Sequence, residues 1–251
     1  MYRTYVLSDF LRVKDLSLRG LSGRAIAKSL DMPHSTVENW RRRSEPPATL
    51  WAADPFEVTC EQSYAYLLGA YLGDGYIWQT SRRSWRFCVT CDAAYPGIID
   101  EVSAAIHVIA SKVCVNCSLK TAAVVVAASS PCWPQAFPQH GPGRKHERPI
   151  VLEPWQLEIT SRHPQSLLRG LIHSDGCRCV NRFRTRLPSG RVGEYAYPRY
   201  FFSNLSADIR RIFSDHCDLL GIRWTQSNTR NISVAHRSSV AAMDAFIGPK
   251  R

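Results

Sequence analysis

Two nonapeptides constrain the fold of this chain more than anything else in it. They are LLGAYLGDG at 67–75 and LRGLIHSDG at 168–176, and they agree at Leu67/Leu168, Gly69/Gly170, Asp74/Asp175 and Gly75/Gly176, 101 residues apart. A repeat of this kind predicts two related halves. The patterning around each copy agrees with that. Residues 62–73 read as helix, YIWQT and WRFCVT as strands, PGIIDEVSAAIHVIA as helix, and VCVNCSL and AAVVVAASS as strands. After residue 176 the same order returns. CRCVNRFRTRL and EYAYPRYFFSN form a hairpin, SADIRRIFSDHCDLLG is a helix ended by Gly221, IRWTQSN and NISVAHR are strands, and SSVAAMDAFIG is a closing helix.

Each nonapeptide ends a helix on Asp-Gly, and the glycine is expected in the left-handed C-terminal conformation. A carboxylate at a helix C-terminus opposes the helix dipole. Carrying one there twice points to function. Gly69 and Gly170 lie where two helices can approach closely. If those helices pack about a pseudo-two-fold axis, Asp74 and Asp175 become neighbours. Adjacent carboxylates repel, and a hard divalent cation relieves the repulsion while activating water and phosphate.

These residues resemble the LAGLIDADG motifs of homing endonucleases, and the αββαββα order of each half agrees. The resemblance covers roughly residues 60–250. It implies an α+β protein in which two pseudo-symmetric αββαββα repeats form a DNA-binding saddle within one chain, acting as a monomer. It implies that Asp74 and Asp175 are catalytic residues that share two or three Mg²⁺ ions and cleave double-stranded DNA. Two residues before each aspartate, where the family is often acidic, this chain has Leu72 and His173. Many members also place a lysine in a loop before the second motif. In FPQHGPGRKHERPI, at 137–150, Lys145 is the nearest candidate for that catalytic lysine. Arg144 and Arg148 are read there as DNA contacts, with His140 and His146 as further proton carriers. A loop that only touches backbone phosphate is the alternative.

Ahead of the repeats, LSGRAIAKSLDMPHSTVENWRRR at 21–43 reads as two short helices around the turn DMPHS, with DFLRVKDLSLRG as a lead-in helix. Ser22 caps the first, and Ile26, Ala27 and Leu30 face inward with Val37 and Trp40. This resembles a homeodomain-like helix-turn-helix. That resemblance implies base contacts from Ser35, Thr36 and Asn39 and phosphate contacts from Arg41, Arg42 and Arg43. The expected organisation is a small all-α helix-turn-helix domain at 1–45, a linker at 46–60 around Pro46, Pro47 and Pro55, a first repeat at 61–140 and a second at 141–251.

The formal charge is +11. Residues 141–251 hold 18 basic residues against 9 acidic, and 16 of the 18 are arginine. Arginine suits bidentate contact with phosphate and guanine, so the partner read from charge is a polyanion. In CRCVNRFRTR the residues Arg178, Arg182, Arg184 and Arg186 share one parity and Cys177, Cys179 and Phe183 the other. The expectation is a basic face toward DNA and a packing face behind it.

CVTC at 88–91 and CVNC at 114–117 have the spacing of a zinc ribbon. Both pairs fall in strands, where i and i+3 face opposite ways. Zinc is therefore not expected and buried thiols are. The N-terminus lacks the apolar core of a signal peptide, and the longest apolar run, AAVVVAA, is too short to span a bilayer. The expected setting is cytoplasmic, with reduced cysteines and no membrane partner. Three functions remain open: a Mg²⁺-dependent double-stranded DNA endonuclease, a non-cleaving transcriptional regulator on the same fold, and an RNA-binding splicing factor.

Overall fold

The structure, a computed structural model, describes Tyr5 and residues 7–47, 56–81 and 84–250. Much of the expected linker, including Pro55, lies outside the described residues, as do Arg82 and Arg83. The chain divides into two units, one ending at Glu57 and one beginning at Val58.

The first unit holds α1 (Leu7–Leu18), α2 (Gly23–Ser29) and α3 (His34–Arg42). The Ser22 hydroxyl accepts from the Ala25 N–H at 3.3 Å and caps α2 as expected. Phe10, Val13, Ile26, Ala27, Met32, Val37 and Trp40 form one buried cluster. On α3, Ser35 and Asn39 are exposed and Thr36 is half-buried. Arg41 is drawn to Glu38 at 2.7 Å, and Arg43 donates to Asn39 at 2.8 Å.

The second unit contains both halves. The first runs α4 (Glu61–Asp74), β1 (Gly75–Ser81), β2 (Ser84–Asp92), α5 (Pro96–Ile109), β3 (Val115–Lys120), β4 (Ala123–Ser130) and a one-turn α6 (Trp133–Ala136). A short connecting helix, α7 (Pro154–Arg162), follows, and no periodicity in the sequence had announced it. The second half runs α8 (Pro164–Asp175), β5 (Gly176–Arg186), β6 (Val192–Ser203), α9 (Ala207–Leu219), β7 (Thr225–Gln226), β8 (Asn231–Val234) and α10 (Arg237–Ile247). Both sheets are antiparallel and four-stranded, ordered β1-β2-β4-β3 and β5-β6-β8-β7. The αββαββα order therefore occurs twice. Gly221 takes a φ of +64° just past α9, as the sequence suggested.

The motif helices α4 and α8 pack directly on one another, and glycine permits it. A Cβ on Gly69 would lie 2.8 Å from the Leu171 amide nitrogen, and one on Gly170 would lie 2.8 Å from that of Ala70. The glycines that follow the aspartates behave differently from the expectation. Gly75 has φ −90° and Gly176 φ −115°, both extended rather than left-handed. Glycine is required there by contact. A Cβ would lie 2.5 Å from Tyr71 Cα in one half and 2.8 Å from Ile172 Cα in the other. In each half the chain thus leaves its helix at the aspartate and enters a strand at once. That sharp exit leaves the carboxylate at the helix end.

The first half encloses an aromatic core, in which Phe87 lies 4.9 Å from both Trp133 and Phe137 and 5.9 Å from Tyr71. In the second half, Phe202 stacks on Phe213 at 4.4 Å. The halves are also clamped by ion pairs. Arg162 meets Glu61 at 2.6 Å, and Arg169 meets Glu101 at 2.6 Å.

Candidate active site

Asp74 and Asp175 end α4 and α8 and line one cleft of about 500 Å³ together with Lys145, Asn204 and Arg144. Burial and the neighbouring Asp175 push the Asp74 carboxyl up to about 6. Burial also raises Asp175, against the hydrogen bond from Asn204. The expected juxtaposition of the two motif carboxylates is present.

Each helix end also carries an ammonium group. Lys145 Nζ donates to the carbonyls of Leu72 at 3.0 Å and Gly73 at 2.8 Å, and to that of Tyr71. Lys250 Nζ donates to the carbonyls of His173 at 3.0 Å and Gly176 at 2.6 Å. The carbonyls of Leu72, Gly73 and His173 lie in the last turn of each helix, at the negative end of its dipole, so each lysine offsets the charge conflict created by its aspartate. Burial pulls Lys145 down to about 8 against the pull of Asp175 and Asp74, and burial also lowers Lys250.

Lys250 was missed in the sequence, although a signal existed. GPGRK ends at Lys145, 71 residues after Asp74, and GPK ends at Lys250, 75 residues after Asp175. Asn204 was missed as well. Its amide donates to Asp175 Oδ2 at 2.5 Å from just beyond β6, and only strand register brings it there.

The rest of the basic loop divides. Arg144 is exposed at the cleft. Arg148 turns inward and donates to the Gln139 carbonyl. His140 packs edge-on against Trp85 at 5.1 Å, and His146 lies 3.8 Å from Glu147. His173 is buried on α8 where that helix faces α4, with Nδ1 3.2 Å from the Tyr66 hydroxyl, and burial pulls its pKa down to about 4.

The packing face of β5 is the reverse of the one expected. Gly75 and Gly176 are equivalent, so Arg178 stands where Ile77 stands in the first half. Ile77 pairs with buried Phe87, on the face that helices cover. Arg178 accordingly pairs with Asp244 of α10 at 2.7 Å, beside Tyr200. Arg182, Arg184 and Arg186 continue that parity on the exposed ribbon, where Arg184 meets Glu194 at 2.7 Å. The open face instead carries Cys177, Cys179, Asn181 and Phe183, opposite Phe201, Arg199, Tyr197 and Tyr195. Phe183 and Tyr195 stack there at 5.4 Å. The matching face of the first sheet carries Tyr76 and Trp78, stacked at 5.0 Å, with Arg86 opposite Trp78.

Cys88 and Cys91 are buried, and their strand positions place them on opposite faces. Cys114 and Cys117 are exposed, which corrects the expectation of buried thiols at that pair. Among the described residues, no group of three or more histidine, cysteine or acidic side chains could hold a metal. No helix among them is long and apolar enough to cross a membrane.

No family model and no curated protein matches the sequence. Solved structures do resemble it. They are LAGLIDADG homing endonucleases. I-DmoI in complex with DNA and Mn is 14% identical with a TM-score of 0.47, covering 75% of this chain and 98% of that one. I-AabMI bound to uncleaved DNA is 9% identical with a TM-score of 0.46, over 73% and 82%. I-SmaMI bound to cleaved DNA is 9% identical with a TM-score of 0.46, over 74% and 83%.

Proposed function

We propose that this chain is a site-specific, divalent-metal-dependent double-stranded DNA endonuclease of the LAGLIDADG kind, acting as a monomer. The observation that carries the reading is the pair Asp74 and Asp175, set together at the ends of two glycine-packed helices with a lysine at each end. The donor set fits a hard cation. Two desolvated carboxylates whose charges repel would be stabilised by a hard divalent cation such as Mg²⁺. When bound, Mg²⁺ acidifies water and neutralises charge on the scissile phosphate.

The protein's own groups do the rest. Asp74 and Asp175 would hold the metal where the two halves meet. Lys145 and Lys250 hold the helix ends and supply positive charge near the attacked phosphates. Asn204 fixes the Asp175 carboxylate. The products form when water adds across one phosphodiester bond in each strand.

DNA lies across the open faces of the two sheets. Tyr76, Trp78 and Arg86 read one half-site, and Asn181, Arg199 and Tyr197 the other. Arg144, Arg182, Arg184 and Arg186 serve backbone phosphate, while Arg178 is held by Asp244 and Arg148 by Gln139. The N-terminal unit adds a second reader through α3, with Ser35, Thr36 and Asn39 toward bases and Arg41, Arg42 and Arg43 toward phosphate.

The test is to incubate the full chain with a randomised duplex library and Mg²⁺ and to sequence the new ends. Double-strand ends flanked by one shared sequence are expected. Selective binding with no ends under Mg²⁺ or Mn²⁺ would overturn the endonuclease reading and leave the regulator.

A further inference from the structure

Cys177 and Cys179 stand at the start of β5, two and four residues past Asp175. Strand alternation puts both on the open face. Their thiols are in hydrogen-bond contact there, Cys177 exposed and Cys179 half-buried. Cys88, Cys91 and Cys217 are buried instead. Cys114 and Cys117 are exposed, but they lie three residues apart, and the Cys117 thiol turns to the Ser103 hydroxyl at 3.8 Å. Among the described residues, no further histidine, cysteine or acidic side chain joins Cys177 and Cys179 into a metal site. What two accessible thiols in contact offer is oxidation to a disulfide.

The backbone around this pair has little slack. Residues i and i+2 of a strand are roughly 6.7 Å apart, at the far end of what a disulfide spans, and the usual separation is about 5.5–6 Å. Closing the bridge therefore draws the start of β5 in by about 1 Å. On one side, Lys250 Nζ grips the Gly176 carbonyl at 2.6 Å, and a Cβ on Gly176 would meet the Phe201 carbonyl oxygen at 3.0 Å. On the other, Cys177 and Cys179 pair with Phe201 and Arg199 of β6. The movement passes to Asp175 and to Arg199.

We propose that Cys177 and Cys179 form a redox site, which a hydroperoxide closes to a disulfide and a thiol reductant reopens, and that the closed form loses cleavage. The loss of cleavage rests on the endonuclease reading, whereas the disulfide does not. The exposed Cys177 sulfur takes one oxygen from the hydroperoxide and becomes a sulfenic acid, and the hydroperoxide leaves as an alcohol, or as water from hydrogen peroxide. The Cys179 sulfur then attacks the Cys177 sulfur. The S–S bond forms, the S–O bond breaks, and the hydroxyl leaves as water with the Cys179 proton. The two thiols together give up two electrons, which the hydroperoxide takes.

Two readouts test this on the full chain treated with hydrogen peroxide. Trypsin digestion without reduction, followed by mass spectrometry, should recover 170–178 and 179–182 joined in one species that dithiothreitol separates. Cleavage of the target duplex should fall at least about tenfold, since a displacement of about 1 Å costs on the order of 100-fold, and dithiothreitol should restore it. Cys177→Ser and Cys179→Ser, each compared with its own untreated rate, should abolish both the joined species and the reversible loss. Cys114→Ser should respond as the wild type does. Absence of the joined species in the wild type would overturn the redox site. A joined species with undiminished cleavage would overturn its control of cleavage while leaving the endonuclease reading intact. If the reduced chain cuts no DNA, that reading fails instead, and the joined species alone decides the redox site.

Discussion

In the first half, β2 is hydrogen-bonded to β1 and β4 on its two sides, from Trp85 through Val89. In the second half, β5 and β6 pair from Gly176 to Arg186, but β8 reaches only Tyr200–Ser203. Beyond that point the hairpin runs on as a two-stranded ribbon carrying Arg182, Arg184 and Arg186. The halves are alike where they meet. Both have a glycine at the helix contact, an aspartate at the helix end, a glycine that starts the strand and a lysine on the last carbonyls. On the endonuclease reading proposed above, what is shared is what a catalytic centre on an axis requires, and what differs is free to follow the sequence of a DNA half-site.

Breaking the shared part should have the largest effect. Gly170→Ala drives a methyl group into the backbone of α4, next to the Ala70 amide. Overpacking of this kind costs about 1–3 kcal/mol and more where backbone must move. We expect about 3 kcal/mol by denaturant midpoint. Arg184→Ala on the ribbon should stay within about 0.5 kcal/mol in the same assay. Similar losses for the two would erase the distinction between centre and periphery.

The helix pair also differs in a buried histidine, because His173 stands where the first half has Leu72. With its pKa held near 4 by burial, the folded chain resists a proton that the unfolded chain accepts near pH 6.5. His173 therefore contributes fully above about pH 6.5, and its contribution falls as the pH drops toward 4. The total swing is up to about 3 kcal/mol. From pH 7 to pH 4 the wild type should lose stability of that order relative to His173→Leu, whichever of the two is the more stable at pH 7. A difference independent of pH would show that the imidazole is not held neutral.

On the ribbon, Arg182→Ala, Arg184→Ala and Arg186→Ala should each weaken DNA binding uniformly across sequences and lower the salt slope by about one unit, as phosphate contacts do. Arg199→Ala on the open face should instead lose about 1–3 kcal/mol at one position of the site. The reverse outcome would exchange the roles of the two faces. The smallest effect is expected from the N-terminal unit. A chain starting at Val58 should keep its chemistry, bind more weakly and protect a shorter footprint. An unchanged footprint would mean that α3 serves another partner.

Much of this was legible in the sequence. The repeat gave both halves, the helix–strand order and the meeting of Asp74 with Asp175, because a helical stripe and a two-residue alternation are local signals. Three features were not read correctly or at all. Alternation in CRCVNRFRTR separates two faces but does not say which one helices cover. Aligning Arg178 with Ile77 would have said so. Gly75 and Gly176 looked like helix caps because caps are the commonest use of glycine there, whereas here a tight helix-to-strand exit excludes a side chain. Asn204 reaches the site only through strand register, which no local pattern encodes, and Lys250 is signalled only by the faint second occurrence of a Gly-Pro…Lys ending at a similar distance from the aspartate.

The central claim is that Asp74 and Asp175 form one metal-holding cleavage centre. It is tested most directly by Asp74→Asn and Asp175→Asn, each assayed for cleavage and for binding on the target duplex recovered with the wild type. We predict that each single substitution abolishes double-strand cleavage while specific binding largely persists. Double-strand cleavage retained in both would contradict the account.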